Sequence, residues 1–354
     1  MQNKKKTFTF AEAINEGLQY CMKKDKNLLC FGLGVTDPKG VFGTTLNLEK
    51  NFGRNRVFDI PCSENAVTGV AIGASLNGTR SVVTHQRLDF FLLAMDQLVN
   101  SAAKWHYMFG SQKSVPITIR LIIGRGWGQG PTHSQNLQSL FNHIPGLKIV
   151  APTFAEDAKS LLISSIQDPN PVIFLEHRWL HGISSKSKKK NKILKLGKAK
   201  KCINGKDFTI ISFSYLTLEA ISAANFLKKK YNISCEVIDL RTIKPLDWNC
   251  LYKSVEKTGR VLVLDTGHEN GSIAGEIVAK IAMEKFNKLK SKPIRLAMPD
   301  FPEPTSHALT KNFYIKSQDI VKKILENLKI KKIKLPNLNN KKKDQQEDWF
   351  KGPF

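Results

Sequence analysis

The chain has 354 residues, of which 41% are hydrophobic and 24% charged, a composition typical of a soluble globular protein with a sizeable core. No run approaches the roughly 20 apolar residues that span a bilayer. The basic N-terminus has no apolar segment behind it, so we expect no secretory signal and a cytoplasmic location. The six cysteines are widely spaced without a Cys-x-x-Cys pair, which argues against a disulfide framework or a zinc site.

Lysine-rich segments account for much of the net charge of +25. The stretch from Lys186 to Lys201 contains nine lysines and no acid, and the stretch from Lys329 to Lys343 contains seven lysines. Neither contains the arginines or aromatic residues that nucleic-acid-binding surfaces usually combine with lysine. We therefore interpret them as a solvated linker and tail. An acidic macromolecular partner is the alternative.

The N-terminal half predicts alternating helices and strands. A helix over 7–24 opens with a threonine cap and places Ala11, Ile14, Leu18 and Cys21 or Met22 on one face. Strands are expected at 27–35, 56–62, 81–84, 115–124, 146–152 and 171–177. Helices are expected at 64–78, capped by Ser63, and at 90–108 and 154–168. Such alternation favours a parallel sheet flanked by helices.

The lysine-rich stretch 183–202 has no hydrophobic periodicity and separates a first domain, 1–182, from a second domain, 203–330. In the second domain, strands are expected at 208–214, 234–241, 260–267 and 293–300, with helices at 216–231 and 273–286. Residues 331–354 are expected to form a poorly ordered basic tail. The sequence thus predicts two α/β domains, each a mainly parallel sheet flanked by helices.

Glu64 stands at the start of a helix built from small residues such as Ala66, Gly69 and Ala71. On the pattern alone, a first-turn glutamate favoured by the helix dipole is sufficient. The small residues behind it also indicate that this helix start is buried at an interface. A carboxylate in such a place can share a proton with a ligand.

The glycine-rich loop GRGWGQGPTHSQ, at 124–135, lacks the lysine and serine or threonine of a P-loop and does not match Gly-x-Gly-x-x-Gly. It fits a flexible active-site loop that carries His133 near its end better than a nucleotide site. His177 and His181 have i, i+4 spacing, but the run before them is strand-like, so no metal pair is expected.

Several segments together resemble the β subunits of the decarboxylating component of pyruvate, branched-chain 2-oxoacid and acetoin dehydrogenases, in the transketolase superfamily. The order and spacing of these segments match across residues 7–330. The resemblance implies a pyrimidine-binding domain followed by a transketolase C-terminal-like domain. The matching segments are FTFAEAINEGL (8–18), RVFDIPCSENAVTGVAIGAS (56–75), AMDQLVNSAAKWHYM (94–108), THSQ (132–135), PGLKIVAP (145–152), AKSLLISSIQDPNPVIFLE (158–176) and CEVIDLRTIKPLD (235–247).

The resemblance implies thiamine diphosphate as the cofactor, with Glu64 and His133 as catalytic residues. The glutamate matching Glu64 hydrogen-bonds a pyrimidine nitrogen and thereby assists loss of the thiazolium carbon proton. The aromatic residue matching Phe90 lies by the aminopyrimidine, Ile60 also contacts the cofactor, and the histidine matching His133 lies by the substrate. Backbone carbonyls hold a structural potassium ion in some members, and the matching residues are Ser165, Ile166, Asp168 and Asn170.

The superfamily's diphosphate and magnesium motif begins Gly-Asp-Gly, and this tripeptide does not occur in the sequence. The resemblance therefore implies an α subunit that carries the magnesium, in a heterotetramer of two α and two β subunits. The expected function is decarboxylation of a 2-oxoacid and acyl transfer to a lipoyl-bearing acyltransferase. The alternatives are a transketolase-like or acyloin-forming enzyme, and a non-catalytic basic binding protein.

The chain departs from the family pattern at two places. Thr84, His85 and Arg87 stand where members often have an acidic residue or an apolar pair, and Arg87 could alter which substrate is accepted. In the transketolase-like alternative, Arg87 could hold a phosphate or a carboxylate. The triplet Asp265-Thr266-Gly267 replaces a frequent histidine–glutamate–alanine.

Overall fold

The computed structural model describes residues 7–126, 128–186, 193–331 and 333–336. It contains two mainly parallel sheets with helices packed against them, one sheet built mostly from each half of the chain. The predicted α/β architecture is confirmed. Within the described residues, no helix combines the length and apolar character needed to cross a membrane.

The strands divide between the two halves. The N-terminal half contains β1 (Thr7–Thr9), β2 (Leu29–Gly32), β3 (Val57–Phe58), β4 (Ser81–His85), β5 (Ile117–Ile123), β6 (Lys148–Val150), β7 (Val172–His177) and β8 (Ser184–Lys186). The C-terminal half contains β9 (Lys200–Ile203), β10 (Phe208–Ser212), β11 (Cys235–Asp239), β12 (Thr242–Lys244), β13 (Val261–His268) and β14 (Ile294–Met298).

The larger sheet has the order β12–β6–β7–β5–β4–β2–β3, and only the β12–β6 pair is antiparallel. The smaller sheet has the order β14–β13–β10–β11–β9, with β9 antiparallel. Strand β5 is buried at every position, as expected for a parallel strand covered on both faces. Because β12 comes from the C-terminal half, the larger sheet ties the two halves together.

Helices of the N-terminal half are α1 (Phe10–Lys24), α2 (Leu48–Phe52), α3 (Glu64–Leu76), α4 (Leu88–Phe91), α5 (Ala103–Met108), α6 (Gln138–His143) and α7 (Ala155–Gln167). Those of the C-terminal half are α8 (Leu216–Tyr231), α9 (Trp248–Thr258), α10 (Ile273–Lys285), α11 (His307–Thr310) and α12 (Ser317–Asn327). Single 3₁₀ turns occur at Leu92–Ala94, Arg178–Leu180 and Phe286–Lys288.

Helix α1 begins with a capping box at Thr9, as a threonine cap predicts, but residues 7–9 form β1 and are not part of the helix. The Thr9 hydroxyl accepts from the Glu12 amide at 3.2 Å, and the Glu12 carboxylate accepts from the Thr9 amide at 2.6 Å. Ala11 is only half-buried, whereas Ala13 is fully buried with Ile14. The buried face is therefore rotated slightly from the one predicted.

Three other predictions differ from the structure. The strand expected over 56–62 is limited to β3. After β3, the Asp59 carboxylate turns toward Thr36 and accepts from the Thr36 hydroxyl at 2.8 Å. Pro61, farther along, has no amide hydrogen to donate to a neighbouring strand. Ser63 occupies the N-cap position of α3, but its side chain caps nothing. The helix expected over 90–108 contains a π-helical stretch, Gln97–Ala102.

The predicted linker, 183–202, contributes a strand at each end. Strand β8 pairs antiparallel with β1, and β9 adds to the smaller sheet beside β11. Some of its lysines form ion pairs, such as Lys200 with Asp157 at 3.0 Å and Lys201 with Glu236 at 3.2 Å. Residues 187–192 lie outside the described residues, as do 332 and 337–354 of the predicted tail.

One part of the interface between the halves is an aromatic cluster. Trp179, at the end of the N-terminal half, packs edge-on against Tyr215 at 4.9 Å and Tyr314 at 5.1 Å between ring centroids. His177 lies 4.6 Å from the Tyr215 ring. All four side chains are buried, so this cluster packs the C-terminal half against the carboxyl end of β7.

Candidate active site

The predicted site residues follow the carboxyl ends of neighbouring parallel strands. Glu64 begins the helix after β3, Phe90 lies in the short helix after β4, and His133 lies in the loop after β5. Carboxyl ends of parallel strands meet at one edge of a sheet, where crevices for ligands form. The topology therefore brings three chain-distant residues to the same edge.

Glu64 is the first residue of α3 and is 7% exposed. Within the described residues, no hydrogen bond or ion pair engages its carboxylate. The helix behind it is packed, since Thr68 and Ala71 are fully buried. A buried carboxylate at the positive end of a helix dipole, without a protein partner, has free capacity to bind a ligand.

Phe90 and His133 are in direct contact. Their rings meet edge-on, with centroids 5.3 Å apart and an interplanar angle of 88°. Thr132 hydrogen-bonds the Nδ1 atom of His133 at 3.0 Å, which orients the imidazole. His133 is exposed and Phe90 is half-buried, so both present surface to solvent. Ile60 is half-buried and packs against the apolar cluster that includes Val67.

The glycine-rich loop is held by residues that pattern reasoning did not assign to the site. Arg87 is 4% exposed, and its Nη1 atom donates to the Gly124 carbonyl at 2.7 Å. Its Nη2 atom donates to the Gln129 side chain through a short hydrogen bond. Asp89 accepts from the Gln135 side chain at 2.7 Å. The departure at Arg87 was the only sequence signal for this arrangement.

The C-terminal half adds a second group of polar residues. The Nδ1 atom of His268 lies 2.8 Å from the Pro299 carbonyl, which requires a proton on Nδ1, and Nε2 faces Glu303 at 3.5 Å. Burial raises the pKa of the Glu303 carboxyl, and the nearby Asp89 charge raises it further. Thr305 lies against Gly130 of the loop. No motif pointed to these residues, because only folding brings them to the loop.

A buried ionic network lies beneath this edge. The Arg120 guanidinium donates to both carboxylate oxygens of Glu176, at 2.6 and 3.0 Å, and both side chains are fully buried. His181 lies 3.3 Å from the same carboxylate, and Thr84 accepts from Arg120. His181 therefore belongs to this network. Within the described residues, no cluster of three or more His, Cys, Asp or Glu side chains is arranged to hold a metal.

The chain matches the family model of the transketolase pyrimidine-binding domain over residues 6–182 and that of the transketolase C-terminal domain over residues 197–320. It is 39% identical over 313 residues to the pyruvate dehydrogenase E1 component subunit beta of Rickettsia bellii, covering 88% of this chain and 96% of that protein. The chain belongs to the family of β subunits of thiamine-diphosphate-dependent 2-oxoacid dehydrogenases.

Other relatives agree with this family. The Bacillus subtilis protein of the same name is 38% identical over 301 residues, which is 85% of this chain and 92% of that protein. The acetoin:2,6-dichlorophenolindophenol oxidoreductase subunit beta of Cupriavidus necator is 38% identical over 315 residues, with coverage of 86% and 92%. A solved structure described as a split gene transketolase, an inactive beta4 tetramer, superposes on this chain with a TM-score of 0.75. The match covers 92% of this chain and 100% of that chain at 20% sequence identity, which shows a shared fold.

One departure from the family pattern has a structural role. Asp265 is fully buried within β13, where it accepts from the Gln138 side chain at 2.7 Å and from the amides of Gly267 and Ala274. Thr266 accepts from the same Gln138 amide at 3.1 Å. Gln138 begins α6, so this triplet joins the two halves directly below the loop.

The predicted potassium site spans the last turn of α7 and the residues just after it. The carbonyls of Ile166 and Asp168 accept from Arg80 at 2.9 and 3.0 Å, and the Ser165 carbonyl accepts from the Asp168 amide at 3.2 Å. Lys148 pairs with the Asp168 carboxylate at 2.5 Å. Each carbonyl retains a second lone pair, although positive charge already stands beside the turn. The potassium site stays a prediction.

Proposed function

We propose that this chain is the β subunit of an enzyme that decarboxylates a 2-oxoacid and passes the acyl group to a lipoyl-bearing acyltransferase. The observation that carries the proposal is the Glu64 carboxylate, which is buried at a helix start and has no partner among the described residues. Family membership supplies the reaction class, and the Glu64 site is where this chain would take part in it.

The residues at this edge fit thiamine diphosphate. When bound, the cofactor supplies a carbon nucleophile and an electron sink for decarboxylation. Glu64 would hold a proton against a pyrimidine nitrogen, a role that needs a carboxylate with no competing donor. Phe90 and Ile60, both half-buried, would offer apolar surface for the ring, and the exposed His133 would contact the substrate.

An α subunit would complete the site with the diphosphate and magnesium positions. Helix α3 offers a surface for such a chain, since Val70 is 68% exposed and a side chain at Gly73 would point into open space. Packing within the described part of this chain does not require a glycine at position 73, but the close approach of a helix from a second chain would require one. Leu93, also 68% exposed, extends the apolar surface. We propose a heterotetramer of two α and two β subunits.

Three finer assignments complete the proposal. The enzyme would be cytoplasmic. A potassium ion would bind the backbone carbonyls at 165–170 and stabilise that turn. The test is to compare the melting temperature in potassium chloride with that in choline chloride; a higher value in potassium chloride is expected. Nucleic acid is not proposed as a partner, because the described lysines of segment 193–201 include several paired with acids, such as Lys200 and Lys201.

The test is co-expression with a cognate α subunit and assay of 2-oxoacid decarboxylation with an artificial electron acceptor. Wild-type complex is expected to turn over a 2-oxoacid, and Glu64→Gln is expected to assemble normally while exchange of the cofactor's thiazolium proton is lost. Glu49→Gln, at an exposed ion pair with Arg54, is the matched control and should exchange normally. Normal exchange in Glu64→Gln would contradict the role given to Glu64. Activity with sugar phosphates alone would replace the 2-oxoacid assignment.

A further inference from the structure

The loop at 124–135 carries His133, and four of its twelve residues are glycine. Gly124 and Gly128 adopt positive φ angles of 72° and 65°. Glycines increase the number of conformations open to a chain, so a defined loop needs contacts from outside it. The position of His133 therefore depends on what anchors the loop.

Arg87 anchors the beginning of the loop. Its guanidinium lies beneath the loop, with one nitrogen donating to the Gly124 carbonyl at 2.7 Å and another to the Gln129 side chain. Burial lowers the pKa of Arg87 to about 10, with the Asp89 charge opposing the shift, so the group is still protonated at neutral pH. Hydrogen bonds from a charged donor in a buried place are stronger than neutral ones.

Gln129 connects Arg87 by hydrogen bonds to the part of the loop next to His133. Its Oε1 atom also accepts from the Gly126 amide at 2.6 Å, and its carbonyl accepts from the Ser134 hydroxyl at 3.1 Å. A Cβ atom at Gly126 would stand 2.7 Å from Gln129 Oε1, so the glycine leaves room for that side chain. Hydrogen bonds thus run from Arg87 through Gln129 to the residue that follows His133.

The same short segment also holds the end of the loop. Asp89 Oδ1 accepts from the Gln135 side chain at 2.7 Å and from its amide at 3.4 Å, while Phe90 packs on His133. Residues 87–90 therefore touch the loop at its start, at its end and at its histidine.

We propose that Arg87 and Gln129 are positioning residues that clamp the glycine-rich loop and hold His133 at the reacting atoms. The catalytic part of this inference rests on the proposed function, whereas the clamp itself does not. The proposal gives Arg87 a role in place of the substrate-anion contact expected from its charge. A guanidinium that is 4% exposed and bonded to the loop faces protein, not a solvent-filled pocket.

Two variants remove the clamp in different ways. Arg87→Met keeps the length of the side chain and removes the donors, and Gln129→Leu keeps the size and removes the acceptor. Gln129→Glu retains the acceptor and is the conservative variant. Arg56→Met is the matched control, because Arg56 also donates to backbone carbonyls, at Met22, Asp25 and Leu28, but lies far from the loop along the chain.

Hydrogen–deuterium exchange of the full chain measures how firmly the loop is held and does not depend on catalysis. Amides at 124–135 are expected to exchange about tenfold faster in Arg87→Met and Gln129→Leu, since each loses a charge-assisted hydrogen bond, and to stay protected in Gln129→Glu and Arg56→Met. Unchanged exchange in both clamp variants overturns the proposal. If Arg87→Met fails to fold, Gln129→Leu gives the same reading alone.

Steady-state kinetics of the complex with its α subunit test whether the loop contacts position His133 for catalysis. We expect kcat to fall about a hundredfold in the clamp variants, as misplacement by about 1 Å would give, with KM little changed and the Gln129→Glu variant close to wild type. The double variant should be no slower than either single variant, because both break one unit. Faster exchange with unchanged kcat would overturn the positioning of His133. A wild-type complex inactive on every 2-oxoacid would instead contradict the proposed function and leave the exchange result standing.

Discussion

Replacing Glu176 by glutamine should strongly destabilise the fold, because it leaves a buried arginine without its counter-charge. Arg120 and Glu176 have side chains with no exposed surface, and they meet through two hydrogen bonds of 2.6 and 3.0 Å. Arg120 also donates to the Thr44 hydroxyl at 2.8 Å. Burial alone would raise the pKa of the Glu176 carboxyl, but the Arg120 charge and hydrogen bonds from Arg120 and His181 hold it below its ordinary value.

The expected loss is about 3–4 kcal/mol of unfolding free energy. Removing one partner of a buried ion pair costs about 3–5 kcal/mol, and the amide oxygen of glutamine still accepts one bond from Arg120. The control is Glu49→Gln, whose pair with Arg54 is 2.7 Å long but has an arginine side chain that is 90% exposed. Exposed pairs contribute about 0–1 kcal/mol, so this variant should unfold nearly as wild type does.

Urea unfolding followed at equilibrium measures both variants, with the midpoint shift multiplied by the shared m-value. A double variant, Arg120→Met with Glu176→Leu, removes both charges and should recover much of the loss, since apolar replacement of a whole buried pair is often close to neutral. A loss below about 1 kcal/mol in Glu176→Gln would refute the reasoning, because that is the range of exposed pairs.

Three further predictions concern acid sensitivity and two glycines. The folded-state pKa values of Glu176 and His181 are both lowered, so the unfolded chain binds more protons, and the melting temperature should fall as the pH drops below about 6.5. The part of the fall below about pH 4.5, where the Glu176 carboxyl titrates, should be weaker in Glu176→Gln. Gly146→Ala should lower the free energy of unfolding in urea by about 2–3 kcal/mol more than Gly78→Ala does. Both glycines have positive φ angles, but a Cβ atom at Gly146 would lie 2.0 Å from the backbone oxygen of Ala103, whereas a Cβ atom at Gly78 would meet nothing. Gly73→Ala should stabilise the isolated chain by about 0.5–1 kcal/mol and weaken binding of the α subunit, measured by calorimetry.

Much of the secondary structure follows from local pattern. The capping box at Thr9 and the apolar periodicity behind it predict α1, and the continuous apolar runs predict β5, β7 and β10. Such features depend on residues near in sequence, where hydrogen bonds and side-chain spacing decide the local state. The errors fall where a distant residue intervenes, as at Asp59, whose contact with Thr36 takes the chain out of the sheet after Phe58.

The candidate site was only partly accessible from sequence. Glu64 and His133 were candidates from the pattern, but their roles, and Phe90, came from a colinear family resemblance, because the pattern around Glu64 alone suits any first-turn glutamate. Their roles stay predictions. Arg87 was noticed as a departure, but its contact with Gly124 spans 37 residues, and no local pattern encodes a contact at that range. His268 and Glu303 carried no sequence signal.

By itself, the sequence determined the order of the main helices and strands, the two α/β halves and the family. Those properties follow from hydrophobic periodicity, capping and turn residues, which act over a few positions. Tertiary structure alone decided that β12 crosses into the sheet of the other half, that Arg87 lies beneath the glycine-rich loop, and that Glu303 comes close to Asp89. These outcomes depend on how complete elements pack, and the free energy of burying an arginine or a carboxylate is set by neighbours that only the folded chain brings together.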